Sequence, residues 1–390
     1  MQLKFLKRAK VENKTVLVRV DYNVPLDAQG EIFDDTRIIQ SLPTIKYLLE
    51  KNAKIVLMSH LGRPRGKVVE KLRLDIVAKR LSVLLNDHVL SLHDCRGEEV
   101  KRAIEGMEFQ DIVILENIRF CPQEEKNDPG FAEELANLAD IFINDAFGTI
   151  HRSHASTEGI THFLPSYAGF LLEKEITEID SVINNPERPF VAVIGGAKIS
   201  TKIKLIKELS NKVEYLLLGG ALANTICKAL GKNVGNSKIE PEMIDRVNEI
   251  KDLIGEKIRI PGDAVLAKDG IDEEDFRIAR LEDIKPNETI YDIGPETVKE
   301  YLKIIKSAKT IIWNGPMGKY EVGQYAGGTN SIAKGVSEIE GKSIIGGGET
   351  LEAVSRLDLM NRIYFVSTGG GAMLKYIEGT KMPALEALKK

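Results

Sequence analysis

What most constrains this chain is a unit it repeats: a short, β-branched apolar run that stops at glycine or polar residues and gives way to a helix-like stretch. Phe190–Lys202, FVAVIGGAKISTK, shows it most clearly. A continuous apolar run of this length fits a strand buried on both faces of a parallel sheet. Strands alternating with helices build such a sheet, and parallel strands bring their carboxyl ends to one edge. The residues just past each run are therefore where an open α/β sheet receives a ligand. At 390 residues the chain has room for two domains of ordinary size.

In the first half the runs are Thr15–Val20, Lys54–Met58, Asp111–Leu115 and Ile141–Asn144, with a shorter one at His88–Leu92. Asp21 and Asn23 follow the first and His60 and Arg63 the second. Arg119 follows the third, and Asp145 with His151, Arg152 and His154 the fourth. A helix starting near Asp35 or Thr36 carries Arg37 in its first turn, a cation set against the helix dipole. Arg37, His60, Arg63, Arg119 and Arg152 gathered at one edge would repel one another without an anion between them. Arginine suits phosphate and carboxylate because its planar fork bonds both bidentately. Each arginine could instead be a surface residue of its own loop. His151 and His154 could be metal ligands, although no cysteine or carboxylate stands at zinc spacing.

In the second half, Gly195 and Gly196 permit positive φ and close approach, so the amides of a following helix can point at an anion. Lys198 and Lys202 are read on one face of that helix, with Lys198 in its first turn, where a cation calls for a negative neighbour. Tyr215–Gly220, Ile311–Gly318, Ser343–Thr350 and Tyr364–Gly371 are further runs that end in glycine, and Lys257–Ile260 and Thr289–Ile293 are two more strands. A rim of such glycine turns suits a polyphosphate. The alternative is an ordinary strand-to-helix turn with a solvated lysine face. Gly335–Ser343 has five residues between its glycines where a P-loop has four, and no G-x-G-x-x-G follows the first strand of either half. Between the halves, Tyr167–Asn184 has helical spacing and stops before Pro186, which makes it a candidate hinge.

The net charge of −4 argues against a general nucleic-acid binder. No run is long enough to span a bilayer and the N-terminus lacks a signal-peptide core, so a cytoplasmic location and no membrane partner are expected; a monomer is expected as well. Cys95, Cys121 and Cys227 are far apart and odd in number, and give neither a disulfide framework nor a zinc pattern.

The segments VLVRVDYNVP, LMSHLGRP, LENIRF, NDAFGTIHRSHAS, ERPFVAVIGGAKISTKI, IIWNGPMGKYE and VSTGGGA follow one another between Val16 and about Leu385, and together they resemble the phosphoglycerate kinase family. The resemblance implies two doubly wound, Rossmann-like α/β domains with parallel sheets, joined by an interdomain helix in a bilobal, hinged fold. A phosphoglycerate-binding domain over 1–168, completed by about 376–390, a helix over 169–185 and a nucleotide-binding domain over 186–375 are expected. So is reversible transfer of a phosphoryl group between 1,3-bisphosphoglycerate and MgADP, giving 3-phosphoglycerate and MgATP.

On the same resemblance, Asp21, Asn23, Arg37, His60, Arg63, Arg119 and Arg152 would hold the phosphoglycerate. Gly196, Ala197, Lys198 and Lys202 would meet the nucleotide phosphates, and Gly220, Asn314, Pro316, Glu321, Gly347, Gly348 and Thr350 would complete that site, with Glu321 on the ribose. Arg37, Lys198 and Lys202, with the amides around Gly348 and Gly371, would stabilise the moving phosphoryl group. The acceptor is a carboxylate already ionised at neutral pH, so no general base is needed. Glu349 stands where the family has the aspartate that contacts Mg²⁺, Ala221 replaces a third glycine, and Gly262 stands where a larger residue is usual. Another small-molecule carboxylate kinase, or a non-catalytic two-lobed anion-binding protein, would be the competing readings.

Overall fold

The computed structural model describes residues 3–268 and 276–389. The chain divides into two units, one of Met1–Thr177 with Lys381–Lys390 and the other of Glu178–Thr380. In the first, β1 (Thr15–Val20), β2 (Lys54–Met58), β3 (Val89–Ser91), β4 (Ile112–Ile114), β5 (Ile141–Asp145) and β6 (Ser166–Ala168) form a parallel sheet in the order β3-β4-β2-β1-β5-β6. The central strand is apolar on both sides for a physical reason. Val16, Val18 and Val20 pack with Ile38, Ile45 and Leu48 of the helix Thr36–Glu50, while Leu17 packs with Met58, Phe131 and Phe142 on the other face. The one charge in β1, Arg19, is fully buried.

The helix read from Tyr167 begins later. Ser166–Ala168 is β6, paired with β5, and the helix runs Phe170–Asn184. Gly169 makes the joint, since a Cβ there would lie 2.3 Å from Asp145 Oδ1. That carboxylate accepts the N–H groups of Leu171 at 2.9 Å and Leu172 at 3.1 Å, so it satisfies amides at the start of the helix. The unit division falls inside this helix, between Thr177 and Glu178.

The second unit holds β7 (Phe190–Ile194), β8 (Tyr215–Leu218), β9 (Ile258–Arg259), β10 (Asp263–Lys268), β11 (Phe276–Arg280), β12 (Glu288–Ile293), β13 (Thr310–Asn314), β14 (Lys342–Gly346) and β15 (Phe365–Ser367). Six of them make a parallel sheet in the order β15-β14-β13-β7-β8-β9. The glycine-ended runs are therefore neighbours, with β7 between β13 and β8. The Thr289–Ile293 strand, read as a strand without a stated partner, lies outside this sheet. As β12 it pairs antiparallel with β10, which also pairs antiparallel with β11, in a separate three-stranded sheet. Among the described residues no helix is long and apolar enough to cross a membrane.

Candidate active site

At the carboxyl edge of the first sheet, the ends of β1 and β2 and the turns after β4 and β5 converge on buried charge. Arg37 donates to Asp21, and the loop after β5 fits against the pair at Gly148, where a Cβ would come 2.2 Å from Asp21 Oδ2. Burial raises the Asp21 carboxyl, but the charges of Arg37 and Arg19 outweigh that and hold it well below the usual carboxylate range. His60 is buried, and Arg19 donates to its Nδ1 at 3.1 Å. A guanidinium has no acceptor, so Nδ1 must be the unprotonated nitrogen and Nε2 carries the proton. Burial, reinforced by Arg19, Arg119 and Arg37 against the pull of Asp21, likewise keeps this imidazole neutral.

Arg119 is buried in the short turn Ile118–Phe120, where its Nη1 donates to Gly62 O at 2.9 Å. Burial, then Arg19, then Arg152 pull its guanidinium down to about 10. Asn23 Oδ1 accepts the Gly62 N–H at 2.8 Å and so fixes the neighbouring loop. Arg63, one residue further on, is exposed and stands outside the buried set. Arg152 is half-buried, and its charge is felt by both Arg19 and Arg119. His154 sits with its Nδ1 3.4 Å from Glu124 Oε1.

Arg19 and Glu124 are the residues that the motif-based reading misses. Arg19 Nε donates to Ser156 Oγ at 2.9 Å, and Ser156 Oγ donates to the fully buried Glu124 at 2.7 Å. A charge inside an otherwise apolar strand was the available signal, because a buried arginine demands a buried counter-charge.

In the second unit a cleft of about 330 Å³ is walled by Gly196, Ala197, Gly220, Ala221, Pro316, Glu321 and Glu349, with Asn224, Lys238 and Tyr291 among its other residues. Its rim is locked by the strand ends. Gly195 N–H donates to Asn314 O at 3.0 Å, Gly196 N–H to Pro316 O at 2.8 Å and Gly220 N–H to Met317 O at 2.7 Å. Gly195 has no room for a side chain, since a Cβ would lie 2.0 Å from Pro316 O. Gly347 has a φ of +100°, and a Cβ there would come 2.6 Å from Asn314 Nδ2. Asn314 and Thr350 are buried supports of this rim. Asn314 donates to Gly346 O, and Thr350 Oγ1 accepts the Gly315 N–H at 2.7 Å. Gly348 and Gly371 are exposed at the first positions of the helices Gly348–Ser355 and Gly371–Ile377.

The two lysines do not share a helix face. The helix begins at Ile203, Lys202 is its N-cap residue, and Lys198 lies in the preceding loop with an exposed side chain. The backbone of 195–202 is held by the rim instead: Gly196 bonds to Pro316 and to Leu222, and Ser200 to Glu240. Lys202 reaches inward and its Nζ donates to Gly195 O at 2.6 Å and Asn314 O at 3.3 Å. Burial pulls this ammonium down to about 8, against the opposing charge of Glu349.

Glu349 stands in the first turn of its helix, facing the cleft. Among the described residues no three His, Cys, Asp or Glu side chains are grouped to hold a metal. One carboxylate facing a glycine-rimmed cleft with a buried lysine nevertheless fits Mg²⁺, which commonly takes one or two carboxylates together with substrate phosphates. Ala221 lines the cleft with its methyl group. At Gly262 a Cβ would meet nothing within 4 Å, so packing does not require glycine there.

Two parallel α/β sheets, one edged with buried guanidinium groups and the other with a glycine rim around a buried lysine, define a phosphotransferase of the kinase class. A family model for phosphoglycerate kinase matches residues 6–380. The phosphoglycerate kinase of Moorella thermoacetica is 47% identical over 386 residues, covering 98% of each chain. That of Coprothermobacter proteolyticus is 45% identical over 392 residues, covering 100% of this chain and 99% of its own. Among solved structures, phosphoglycerate kinase from Coxiella burnetii superposes with a TM-score of 0.87 at 35% identity, covering 100% of this chain and 99% of its own. The enzyme from Pyrococcus horikoshii does so with a TM-score of 0.87 at 31% identity, covering 99% and 98%. The chain belongs to the phosphoglycerate kinase family.

Proposed function

We propose that this kinase moves a phosphoryl group reversibly between the acyl phosphate of 1,3-bisphosphoglycerate and MgADP, giving 3-phosphoglycerate and MgATP. The observation that carries the reading is the pairing of two unlike anion sites in one chain: arginines and a neutral histidine at one sheet edge, a glycine-walled cleft with Lys202 at the other. The unit of 1–177 with 381–390 would bind the phosphoglycerate, and the unit of 178–380 the nucleotide. Asp21 holds Arg37, Asn23 fixes the Gly62 loop, and His60 offers Nε2–H. Arg37, Arg63, Arg119 and Arg152 supply guanidinium donors for phosphate and carboxylate.

On the nucleotide side, Gly196, Ala197, Gly220, Pro316 and Glu321 form the wall, while Asn314, Gly347 and Thr350 keep the rim in shape. Lys202 uses two of its three N–H donors on backbone carbonyls and keeps one for a phosphate oxygen. Lys198, on its exposed loop, adds a solvent-facing positive charge. Glu349 would hold Mg²⁺, which when bound neutralises phosphate charge. Because the acceptor carboxylate is already ionised, the protein's task is to align the groups and to stabilise charge. Arg37, Lys198, Lys202 and the amides of Gly348 and Gly371 are the donors assigned to the moving phosphoryl group. Hinge closure would bring the two substrates in line and exclude water. We read it as a cytoplasmic monomer that acts on small molecules and not at a membrane, and the net charge of −4 speaks against nucleic acid as a partner.

The test is ADP formation from MgATP by the purified protein with 3-phosphoglycerate, with acetate, and with neither. Turnover is expected only with 3-phosphoglycerate. Equal turnover with acetate would make this a different carboxylate kinase, and no turnover despite binding of both ligands would make it an anion-binding protein.

A further inference from the structure

Cys95 and Cys121 take no part in the site described above, yet they meet beside it. Cys95 lies in the loop after β3, which is tied to the end of β4 by the bond from Glu116 N–H to Asp94 O at 3.2 Å. Cys121 closes the turn Ile118–Phe120, its N–H donating to Ile118 O at 3.2 Å, two residues beyond Arg119. The two sulfurs are 2.9 Å apart across a sequence separation of 26 residues, and both thiols are free. That distance exceeds a disulfide bond by only about 0.9 Å. Cys95 is 2% exposed and Cys121 is half-buried, so one sulfur of the pair is within reach of solvent. The Cys121 thiol is lowered by the hydrogen bond from Cys95, against burial and with help from Arg96, which puts thiolate character on the reachable sulfur.

We infer that Cys95 and Cys121 are a reversible dithiol–disulfide site whose oxidation displaces the turn that carries Arg119. The oxidant is a low-molecular-weight disulfide. The Cys121 thiolate attacks one of its sulfurs, forming a mixed disulfide and releasing one thiolate. Cys95 then loses its proton to solvent and attacks Cys121 Sγ, releasing the second. Two protein thiols are oxidised to one disulfide while one small disulfide is reduced to two thiols. Closing the gap draws Cys121 toward Cys95. Arg119 follows because its backbone is part of the same turn, and its contacts with Gly62 and Gly66 are made from there. The consequence for substrate rests on the phosphoglycerate reading of that arginine, whereas formation of the bond does not.

The experiment treats the full-length protein with glutathione disulfide. It then follows denatured thiol content, intact mass, and KM for 3-phosphoglycerate and for MgATP. Titratable thiols should fall from three to one, leaving Cys227, with loss of two hydrogens and no retained glutathione. KM for 3-phosphoglycerate should rise about threefold or more, as displaced binding groups require. KM for MgATP should not move, and dithiothreitol should reverse the change. Cys95→Ser should keep glutathione on Cys121 and form no internal bond; Cys121→Ser serves if that variant does not fold. Retention of all three thiols, a stable glutathione adduct on the parent protein, or an internal disulfide with unchanged KM would each overturn the proposal. If the reduced protein shows no turnover, the substrate reading fails, while thiol titre and mass still decide whether the pair closes.

Discussion

Lys202 shows how a single buried charge ties sequence to chemistry. Its ammonium is held among backbone carbonyls, and burial brings it down to about 8 from an ordinary 10.5. A phosphate oxygen would favour the charged form, so binding above that pH must take up a proton. Affinity for MgADP should therefore be flat below about pH 8 and fall by up to about tenfold per unit above it, while Lys202→Met should bind weakly with no such break. Calorimetric titration across that range checks this, and a pH-independent Kd in the parent protein would remove Lys202 from the phosphates. Lys202 was legible as a cation beside glycines, but its burial was not. The partners that bury it, Gly195 and Asn314, come from two strands that are neighbours only in the folded sheet. Arg19 was hidden for the same reason, since its counter-charge, Glu124, lies far along the chain and is reached through Ser156.

At the scale of elements, every strand of the two parallel sheets except β6 could be read from an apolar run, because burial on two faces leaves a continuous signal. Helix starts could not. The segment after β7 spends its backbone hydrogen bonds on the glycine rim before it can turn helical, so Lys198 is left in a loop. Of the β10–β11–β12 sheet only β12 was read as a strand; β11 has no fully buried position, and its alternation of exposed and half-buried residues gives a weaker pattern than a continuous run. The helix Gly348–Ser355 is where an element bears on function, because it sets Glu349 in a first turn that favours a carboxylate. Glu349→Gln should raise half-saturating Mg²⁺ by about tenfold, whereas Glu349→Asp, with its charge intact, should stay within a few-fold. Removing that charge also takes away the raising influence on Lys202, so the break in MgADP affinity should move to lower pH in Glu349→Gln. Identical Mg²⁺ titrations of the parent and the Gln variant would exclude Glu349 as a ligand.

At the scale of the whole molecule, the end of the chain belongs to the first unit, although 203 intervening residues, Glu178–Thr380, form the second. The last helix, Pro383–Ala387, buries Ala384, Leu385 and Ala387, and Met382 and Leu388 flanking it are buried too. Ala384 N–H donates to Ile150 O at 3.3 Å, on the same loop that carries Arg152, and Lys4 N–H donates to Leu388 O at 3.4 Å. The terminal segment thus holds the start of the chain and the loop bearing Arg152, an arginine proposed above for the phosphoglycerate. Burial of Met382, Leu385 and Leu388 stabilises by roughly 1.5–3 kcal/mol per side chain. Together that is comparable with the whole stability of a domain, about 5–15 kcal/mol. Deletion from Lys381 onward should therefore lower or abolish the melting transition of the first unit. The Glu178–Thr380 unit should keep its fold and its MgADP affinity, because every residue lining its cleft remains. Thermal unfolding followed by circular dichroism, with MgADP titrated into the truncated protein, reads both halves of this claim. If the truncated protein melts like the parent and binds 3-phosphoglycerate equally well, the terminal segment only rests on the first unit and does not hold it together.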